Sequence, residues 1–329
     1  MTKKIIIKIF SVLLLTVIIS TSFCTYDVKA VSLKNETINS QELVSELNNS
    51  NEEIAKEEKI MKYDVKTGTT TEIDIEQISA LLRKANINVA EPYGNIATSK
   101  NSNNVPVVLA DGYGMTQVTN TTSFPYKATC RLTWNGGGFA TGFLVGPNLL
   151  LTAAHCVMKT SPSDAFANWK CYPAYNGGQV AINGTTHSTG WEEIYYSNNW
   201  VNYKSNDYDW CLCVLENDLG NDIGAYYGVQ AYGSNSGLNI VAVMALGYPG
   251  QNVYDGLYQR YSTGTTSNTH ARYFDCSARS FEGMSGGPIM RTSDNYVVGL
   301  VKGAYKNNTS KTYGVRMTQA IVDLINDLR

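Results

Sequence analysis

The segment from Phe281 to Met290 reads FEGMSGGPIM and surrounds a single serine, Ser285, with the glycines Gly283, Gly286 and Gly287. A serine hydroxyl is a weak nucleophile at neutral pH. It therefore needs a base within hydrogen-bond distance, and the base needs a third group to orient it. Glycines leave the backbone uncrowded, so the N–H groups of Gly283 and Ser285 could stabilise a developing oxyanion. The alternative is a glycine-rich hairpin without chemistry.

The pattern G-x-S-x-G also marks the nucleophile elbow of α/β-hydrolases, which requires a helix after the serine and a histidine downstream. Here Pro288 follows the serine closely, and the next residues read as strand and turn. All three histidines of the chain, at positions 155, 187 and 270, precede Ser285. The residue order therefore excludes an esterase of that fold.

The order that remains is histidine, aspartate, serine. His155 ends the segment LLLTAAHC, where two alanines leave room for another element beside the imidazole. Asp209 directly precedes the apolar segment WCLCVL, so its carboxylate can be buried and still point at a histidine ring. We predict a catalytic triad of His155, Asp209 and Ser285. Taken singly, His155 could be a core histidine, and Asp207 or Asp209 a turn residue at the start of a strand.

Short β-branched and apolar runs bounded by Gly, Pro, Asn or Ser predict the elements that position these residues. Only the C-terminus has a strong helical pattern, with Ile321, Leu324, Ile325 and Leu328 on one face and Thr318 as a cap. Many strands and one terminal helix predict an all-β barrel or sandwich. The predicted strands are Lys127–Trp134, Phe139–Gly146, Asn148–Thr152, Trp210–Leu215, Asn239–Tyr248 and Tyr296–Val301.

The first thirty residues have lysines at positions 3, 4 and 8, a short apolar run, and the sequence VKA ending at Ala30. The run is too short for a bilayer span, so residues 1–30 are predicted to be a secretory signal peptide. Residues 31–104 hold 8 Lys/Arg and 12 Asp/Glu with no Cys or Trp, including the helix-like segments NEEIAKEEKIMK and IEQISALLRKA. This leader suggests a partly helical propeptide, with a flexible stalk or a retained helical domain as alternatives.

The rest of the chain is almost neutral, which gives no indication of nucleic acid or a membrane surface as a partner. Six cysteines lie in it, at positions 130, 156, 171, 211, 213 and 276. An even number in a secreted protein favours disulfides, and we favour Cys156 with Cys171. Cys211 and Cys213 share one strand face and are poorly placed to bond each other. No C-x-x-C spacing supports a metal site, and we expect neither metal nor cofactor.

Several motifs together resemble the trypsin-like serine endopeptidases of the chymotrypsin fold: TGFLVGPNLLLTAAHC, YDWCLCVL and GMSGGP. The segments QVTNTTSFPYKATCRLTW, LGYPG and YGVRMTQAIVDLI resemble the bacterial glutamyl endopeptidase branch. The resemblance implies two six-stranded antiparallel β-barrels with the site between them, a C-terminal helix, and a triad at His155, Asp209 and Ser285. It also implies a secreted zymogen with a propeptide at 31–104 and a peptidase domain at 105–329.

On this basis we expect a secreted serine endopeptidase, active as a monomer on protein or peptide substrates. An activating protease, or the enzyme itself, would cut between about Ser99 and Asp111, with Asn104 favoured by the resemblance. The alternative is a catalytically inactive trypsin-fold binding module or adhesin, which the loss of any triad member would favour. None of the three is lost.

The segment before Ser285 and the strand from Val298 to Gly303 are predicted to form the specificity pocket. Its candidate side chains are Arg279, Ser280, Val301 and Lys302. The resemblance implies a histidine where Val301 stands, a threonine at Ser280 and, for a trypsin-type activation switch, an aspartate at Met284. The two positive charges disfavour a substrate Lys or Arg. An acidic residue at P1, the position before the cleaved bond, is slightly favoured over a medium-sized apolar one.

Overall fold

The structure, a computed structural model, describes residues 58–76, 78, 89–91, 110–305 and 308–329. These residues belong to one compact unit, Lys56–Arg329. The predicted signal peptide, most of the leader and the predicted cleavage site lie outside the described residues. Within the described ranges, no helix is long and apolar enough to cross a membrane.

Short strands dominate the described chain, as the turn-bounded apolar runs predict. In chain order they are β1 (Ile60–Asp64), β2 (Thr69–Ile73), β3 (Val89–Ala90), β4 (Thr116–Gln117), β5 (Thr129–Trp134), β6 (Gly138–Leu144), β7 (Leu149–Thr152), β8 (Lys170–Pro173), β9 (Ala181–Ile182), β10 (Thr185–Thr186), β11 (Trp191–Ser197), β12 (Cys211–Leu215), β13 (Val229–Gln230), β14 (Ala242–Gly247), β15 (Arg260–Ser267), β16 (Tyr273–Cys276), β17 (Pro288–Arg291), β18 (Val297–Tyr305) and β19 (Asn308–Arg316).

Helices are few and mostly short. They are α1 (Asn198–Tyr203), α2 (Leu219–Ile223), α3 (Asn235–Leu238) and α4 (Gln319–Leu328), with 3₁₀ turns at Tyr126–Ala128, Ala154–Cys156, Pro162–Asp164 and Asn206–Tyr208. The terminal helix α4 confirms the predicted amphipathic pattern: Ile321, Leu324 and Ile325 are buried, and the Thr318 hydroxyl accepts a hydrogen bond from the Ile321 N–H.

The first sheet has the strand order β2-β1-β11-β12-β7-β6-β5-β8. Its six strands from β11 to β8 form a barrel, closed by a single antiparallel bridge between Cys171 on β8 and Thr189 just before β11. Every residue of β7 and β12 is buried, and all of them except Thr152 are apolar. A continuously apolar strand fits a position where both faces are covered.

The second sheet contains a closed ring of six antiparallel strands, β14-β15-β16-β19-β18-β17, because β17 pairs with both β14 and β18. Its interior holds a separate apolar cluster that includes Phe274, Ile289 and Val301. Helix α4 packs instead into the apolar cluster that includes the first barrel. The predicted fold, two antiparallel barrels of six strands with a C-terminal helix, is confirmed.

Part of the leader adopts strands where the sequence favours a helix. Ile60, Met61 and Lys62 belong to the helix-like segment NEEIAKEEKIMK, yet they form β1, which pairs with β11 and β2. The helical prediction for these three residues is wrong. Helix propensity is only a weak guide to secondary structure, and tertiary contacts can override it. Here β1 pairs with β11, and Ile60 is buried at 1% exposure.

Candidate active site

Strand pairing in the first barrel brings His155 and Asp209 together. Strands β7 and β12 are antiparallel neighbours, and Thr152 lies opposite Cys211. His155 follows β7 by three residues, in a 3₁₀ turn, and Asp209 precedes β12 by two. Because the end of β7 and the start of β12 lie at the same edge, the two side chains meet there.

Two hydrogen bonds join these residues. The distance from His155 Nδ1 to Asp209 Oδ2 is 2.6 Å, and the His155 backbone N–H donates to Asp209 Oδ1 at 3.0 Å. The Asp209 side chain is 2% exposed, whereas the imidazole is 37% exposed. The alternative acid, Asp207, instead accepts a hydrogen bond from the Tyr313 hydroxyl. The imidazole is thus held by a buried carboxylate and is itself partly exposed.

The pair shifts the pKa values of both groups. Burial alone would raise the pKa of the Asp209 carboxyl, but His155 and, more weakly, Lys302 hold it below its usual range. Burial alone would lower the pKa of His155, but the neighbouring Cys156 sulfur and the Asp209 carboxylate outweigh burial and raise it well above its usual value. The imidazole is therefore a stronger base than a free histidine.

Ser285 lies in the turn before β17 of the second barrel, and its carbonyl attaches this turn to the first barrel. That carbonyl accepts from the Thr141 N–H at 3.0 Å and from the Cys156 thiol at 3.5 Å. The Ser285 hydroxyl donates to the Lys302 carbonyl at 3.3 Å. Within the described chain it makes no hydrogen bond to His155. The structure thus brings the serine turn next to the His155 segment, with the hydroxyl engaged elsewhere.

Two glycines of this turn have no room for a side chain. A Cβ on Gly286 would stand 2.1 Å from Thr152 Oγ1 and 2.3 Å from the Thr141 carbonyl oxygen. A Cβ on Gly283 would stand 2.4 Å from the Tyr248 carbonyl oxygen and from Phe139. Both glycines also have positive φ, +81° and +88°, which side chains disfavour. The glycines therefore let the serine turn sit directly against the first barrel.

The same turn leaves two backbone donors free. Among the described residues, neither the Gly283 N–H nor the Ser285 N–H donates a hydrogen bond, whereas Met284 N–H donates to Phe281 O and Gly286 N–H to Val301 O. The Gly283 carbonyl is fixed by the Thr141 hydroxyl at 2.8 Å, and that hydroxyl also accepts from the Tyr248 N–H. Thr141 is a positioning residue that the sequence analysis missed, although it lies in the quoted motif TGFLVG.

Three of the four predicted pocket residues lie on β18 or in the segment before Ser285. Val301 and Lys302 lie on β18, with Val301 buried and Lys302 half-buried, and Ser280 is buried at 1% exposure. The Thr312 hydroxyl lies 2.8 Å from the Ser280 hydroxyl and 2.6 Å from the Ala278 carbonyl oxygen. Thr312 carried no signal in the sequence, because its proximity to Ser280 arises from the pairing of β19 with β16 and β18.

The fourth predicted residue, Arg279, has another partner. Its guanidinium donates to the Tyr113 carbonyl at 3.2 Å, and its side chain packs over Gly114. Tyr113 and Gly114 lie in the turn from Asp111 to Met115. The Asp111 carboxylate holds this turn, because it accepts a hydrogen bond from the Tyr254 hydroxyl and forms an ion pair with Arg260. Arg279 thus contacts the turn Asp111–Met115, which precedes the first barrel.

The predicted disulfide between Cys156 and Cys171 is wrong for this structure, in which all six described cysteines are free and buried. Cys156 Sγ faces the Ser285 carbonyl, and the Cys171 thiol contacts that of Cys130 inside the first barrel. The two sulfurs belong to different surroundings, which spacing along the chain does not reveal. Burial raises the pKa of the Cys171 and Cys211 thiols well above the usual value.

Comparisons with known proteins agree with this geometry. The family described as trypsin-like peptidase domain matches residues 140–300. A glutamyl endopeptidase of Bacillus licheniformis is 28% identical over 180 residues, 55% of this chain and 54% of that protein. An extracellular metalloprotease of Bacillus subtilis is 27% identical over 218 residues, 64% of this chain and 66% of that protein. The chain thus spans between about half and two thirds of the length of these curated relatives.

A solved structure of a Glu endopeptidase in complex with MPD is 27% identical, with a TM-score of 0.58, and the match covers 68% of this chain and 99% of that one. By fold and matched domain, this chain carries a trypsin-like serine peptidase domain. Among its relatives, it is similar to two glutamyl endopeptidases, at 28% and 27% identity. In the described part of the chain, no group of three or more His, Cys, Asp or Glu side chains is arranged to hold a metal ion.

Proposed function

We propose that this chain is a secreted serine endopeptidase that hydrolyses peptide bonds through His155, Asp209 and Ser285. The observation that carries the proposal is the pair His155–Asp209, joined at 2.6 Å, beside a glycine turn that presents Ser285 and two free N–H groups. A nucleophile, a base, an orienting carboxylate and oxyanion donors are the groups that acyl transfer requires.

In the proposed reaction, His155 takes the proton of the Ser285 hydroxyl as Oγ attacks the substrate carbonyl carbon. The N–H groups of Gly283 and Ser285 stabilise the resulting oxyanion. The imidazolium, stabilised by Asp209, then gives its proton to the leaving amine, and an acyl-enzyme forms. A water molecule, deprotonated by His155, attacks this ester, and Ser285 regains its proton as the acid product leaves.

The reaction requires the Ser285 hydroxyl to leave the Lys302 carbonyl and turn toward His155. A serine side chain moves among three staggered χ1 wells, so the hydroxyl changes direction by rotation about χ1. Catalytic hydrogen bonds are often long or misaligned without substrate and tighten when substrate binds. The bond to Lys302 O is long, at 3.3 Å, so a hydrogen bond from the hydroxyl to the neutral imidazole can replace it.

For specificity we propose a P1 acidic residue, with a medium-sized apolar residue as the second candidate. The buried hydroxyls of Ser280 and Thr312 and the positive charge of Lys302 on β18 support an acidic residue, whereas the buried Val301 supports an apolar one. A charge-assisted hydrogen bond contributes about 1.5–3 kcal/mol, which is about 10- to 150-fold in discrimination. A substrate Lys or Arg would meet like charge in a desolvated site.

Secretion and activation belong to the same proposal. The predicted signal peptide 1–30 and the extracellular relative support export, and the polar joint SKNSNNVPVV favours cleavage between about Ser99 and Asp111. We expect the secreted active form to begin at Val105, with activity rising after the cut. N-terminal sequencing measures this start directly, and a start near Val31 on a fully active enzyme would contradict it.

The experiment that tests the function is digestion of a denatured protein by the processed enzyme, followed by mass spectrometry of the new termini. New termini that are absent with Ser285→Ala, and that follow Glu or Asp, are the expected result. Cleavage after Lys or Arg would contradict both candidate specificities. An intact substrate together with a correctly processed, folded chain would favour the inactive binding module.

A further inference from the structure

We propose that the leader stays bound to the peptidase domain after it is cut, as a noncovalent second chain that docks through Glu58–Ile73 and Val89–Glu91 and supports the Asp209 segment. The inference concerns binding, so it can be tested in a catalytically inactive chain. It rests on two docking contacts, on charge complementarity across the larger one, and on a physical connection to the triad.

The first docking contact is a β-sheet pairing with the first barrel. Strand β1 pairs with β11 along five residues, from Ile60 opposite Ser197 to Asp64 opposite Glu193. Beyond this ladder, Lys59 exchanges two hydrogen bonds with Asn198: Lys59 N–H donates to the Asn198 side chain at 2.9 Å, and Asn198 N–H to Lys59 O at 3.0 Å. Backbone pairing of this kind is a recognised way for one chain to bind the sheet edge of another.

Burial strengthens this contact. Ile60 is 1% exposed and belongs to the apolar core that includes the first barrel, and Met61, Tyr63 and Ile73 of the hairpin pack against that core. On β11, Tyr195 and Tyr196 are 4% exposed. Departure of the hairpin would leave apolar surface and an unpaired strand edge in water, a combination that promotes aggregation.

Charges match across the same pairing. Lys62 Nζ lies 2.7 Å from the Glu193 carboxylate, and Lys66 Nζ lies 2.7 Å from Glu192. The Lys62 ammonium also stands 5.9 Å from the Tyr195 ring centroid. The two leader lysines thus form ion pairs with two glutamates of β11. Such charge complementarity contributes more to the specificity and register of the pairing than to its affinity.

The second docking contact lies on the second sheet. Val89 and Ala90 form β3, which pairs antiparallel with β13. The Glu91 carboxylate accepts a hydrogen bond from the Tyr296 hydroxyl, and the Glu91 carbonyl accepts one from Arg329. The same Arg329 side chain also donates to the Val145 and Tyr227 carbonyls. Two separated contacts on one short segment raise its effective concentration at each site, so release requires both to open.

The hairpin is connected to the catalytic pair through the segment that carries Asp209. Strand β11 continues into α1 and the 3₁₀ turn Asn206–Tyr208, which ends at Asp209. Glu58 forms an ion pair with Arg272, whose guanidinium lies 5.0 Å from the centroid of the Tyr208 ring. The leader therefore braces both ends of this segment, and its loss would loosen the carboxylate that orients His155.

The test uses the full chain with Ser285→Ala and a recognition site for a site-specific protease inserted after Asn104. The folded protein is cut and passed through a size-exclusion column without denaturant at about 1 µM, a concentration at which a submicromolar complex stays together. We expect leader and peptidase domain to elute together, although a denaturing gel shows two fragments. Separate elution of the cut parent chain would overturn the inference.

Variants locate the contact. Ile60→Asp places a charge in the core and should weaken binding of the cut leader at least about 100-fold, whereas Thr71→Asp, on the exposed β2 strand, should leave it unchanged. Equal retention of both variants would contradict docking through β1. If Ile60→Asp does not fold, Lys62→Glu replaces it, with about a 3- to 10-fold loss that Glu193→Lys in the same chain restores. Failure of that restoration would contradict the charge pairing.

The catalytic consequence is measured in the active chain. Wild-type enzyme that is cut and keeps its leader should retain its kcat, and Ile60→Asp enzyme that has lost the leader should fall about 10-fold or more in kcat with a smaller change in KM. Full activity after verified loss of the leader would overturn the supporting role. An inactive wild type that still holds its cut leader would contradict the proposed function and leave the docking intact.

Discussion

The first barrel supplies His155 and Asp209, already joined by two hydrogen bonds, whereas the second barrel supplies Ser285, whose hydroxyl donates to a carbonyl of its own barrel. The difference follows from how each group is anchored. His155 and Asp209 flank neighbouring strands and are fixed by the β7–β12 ladder, but Ser285 lies in a turn whose backbone alone is fixed to Thr141. The proposed base is thus held in place by its side-chain hydrogen bond, whereas the proposed nucleophile is held at its backbone.

The largest effect should come from the nucleophile. Ser285→Ala removes the proposed nucleophilic oxygen and should lower kcat by about 10⁴- to 10⁶-fold, with the fold unchanged because Ser285 is half-buried and its carbonyl contacts remain. Steady-state kinetics and labelling with a serine-directed phosphonofluoridate measure the loss. Activity close to that of the wild type, in a preparation free of other proteases, would refute the mechanism.

Loss of the Asp209 charge should lower kcat almost as much. Asp209→Asn keeps the shape of the side chain but removes the charge that holds the imidazole, and kcat should fall about 10⁴-fold. Asp207→Asn is the matched control, because its partner is Tyr313 and not the imidazole, and kcat should stay within about threefold of the wild-type value. A comparable loss in both variants would mean that Asp209 has no special place in the site.

The contact between the two barrels can be broken at Gly286. Gly286→Ala forces a Cβ against Thr152 and Thr141 at a positive φ and should cost about 2–4 kcal/mol in the free energy of unfolding, together with at least about 100-fold in kcat. Gly136→Ala is the control: its φ is +86°, but nothing lies within 4 Å of the new Cβ. It should lose about 1–2 kcal/mol and keep its activity. Denaturant unfolding and steady-state kinetics of the two variants distinguish the cost of the positive φ, which both share, from the steric clash, which only Gly286→Ala has.

The pH dependence of kcat/KM reports the protonation state of His155. Only neutral His155 accepts the serine proton, and its pKa is raised above the ordinary 6.5. The value of kcat/KM should therefore reach half its maximum above pH 6.5 and fall about tenfold per pH unit at lower pH. In Asp209→Asn, where the stabilising carboxylate is gone, the half-point should move to lower pH. An unmoved half-point would show that Asp209 does not set the pKa of the base.

The smallest effect should come from Arg279. Because its guanidinium donates to the Tyr113 carbonyl, Arg279→Ala should change the P1 preference in a peptide library by less than about threefold. Ser280→Ala, which removes a buried pocket hydroxyl, should reduce discrimination for an acidic P1 residue by about tenfold. Loss of acidic preference in Arg279→Ala alone would make Arg279 the anion partner after all.

Local pattern was enough to predict much of this molecule. Apolar runs between turn residues predicted the strands, because burial and strand propensity act on neighbours in the chain. The C-terminal helix followed from the spacing of Ile321 and Leu324 with Thr318 as its cap, and the structure confirms it. The residue order His155, Asp209, Ser285 predicted the kind of chemistry, since all three histidines precede the serine, which excludes the nucleophile elbow of α/β-hydrolases.

Tertiary structure alone decided the contacts between distant segments. Ile60 lies in a sheet because β11, more than a hundred residues later, offers an edge for it. Arg279 turns to Tyr113, and the Cys156 thiol faces Ser285 instead of Cys171. In each case packing and hydrogen bonding in the folded molecule determine the partner. Residues that are far apart in the sequence come into contact there, and local sequence pattern does not predict such contacts.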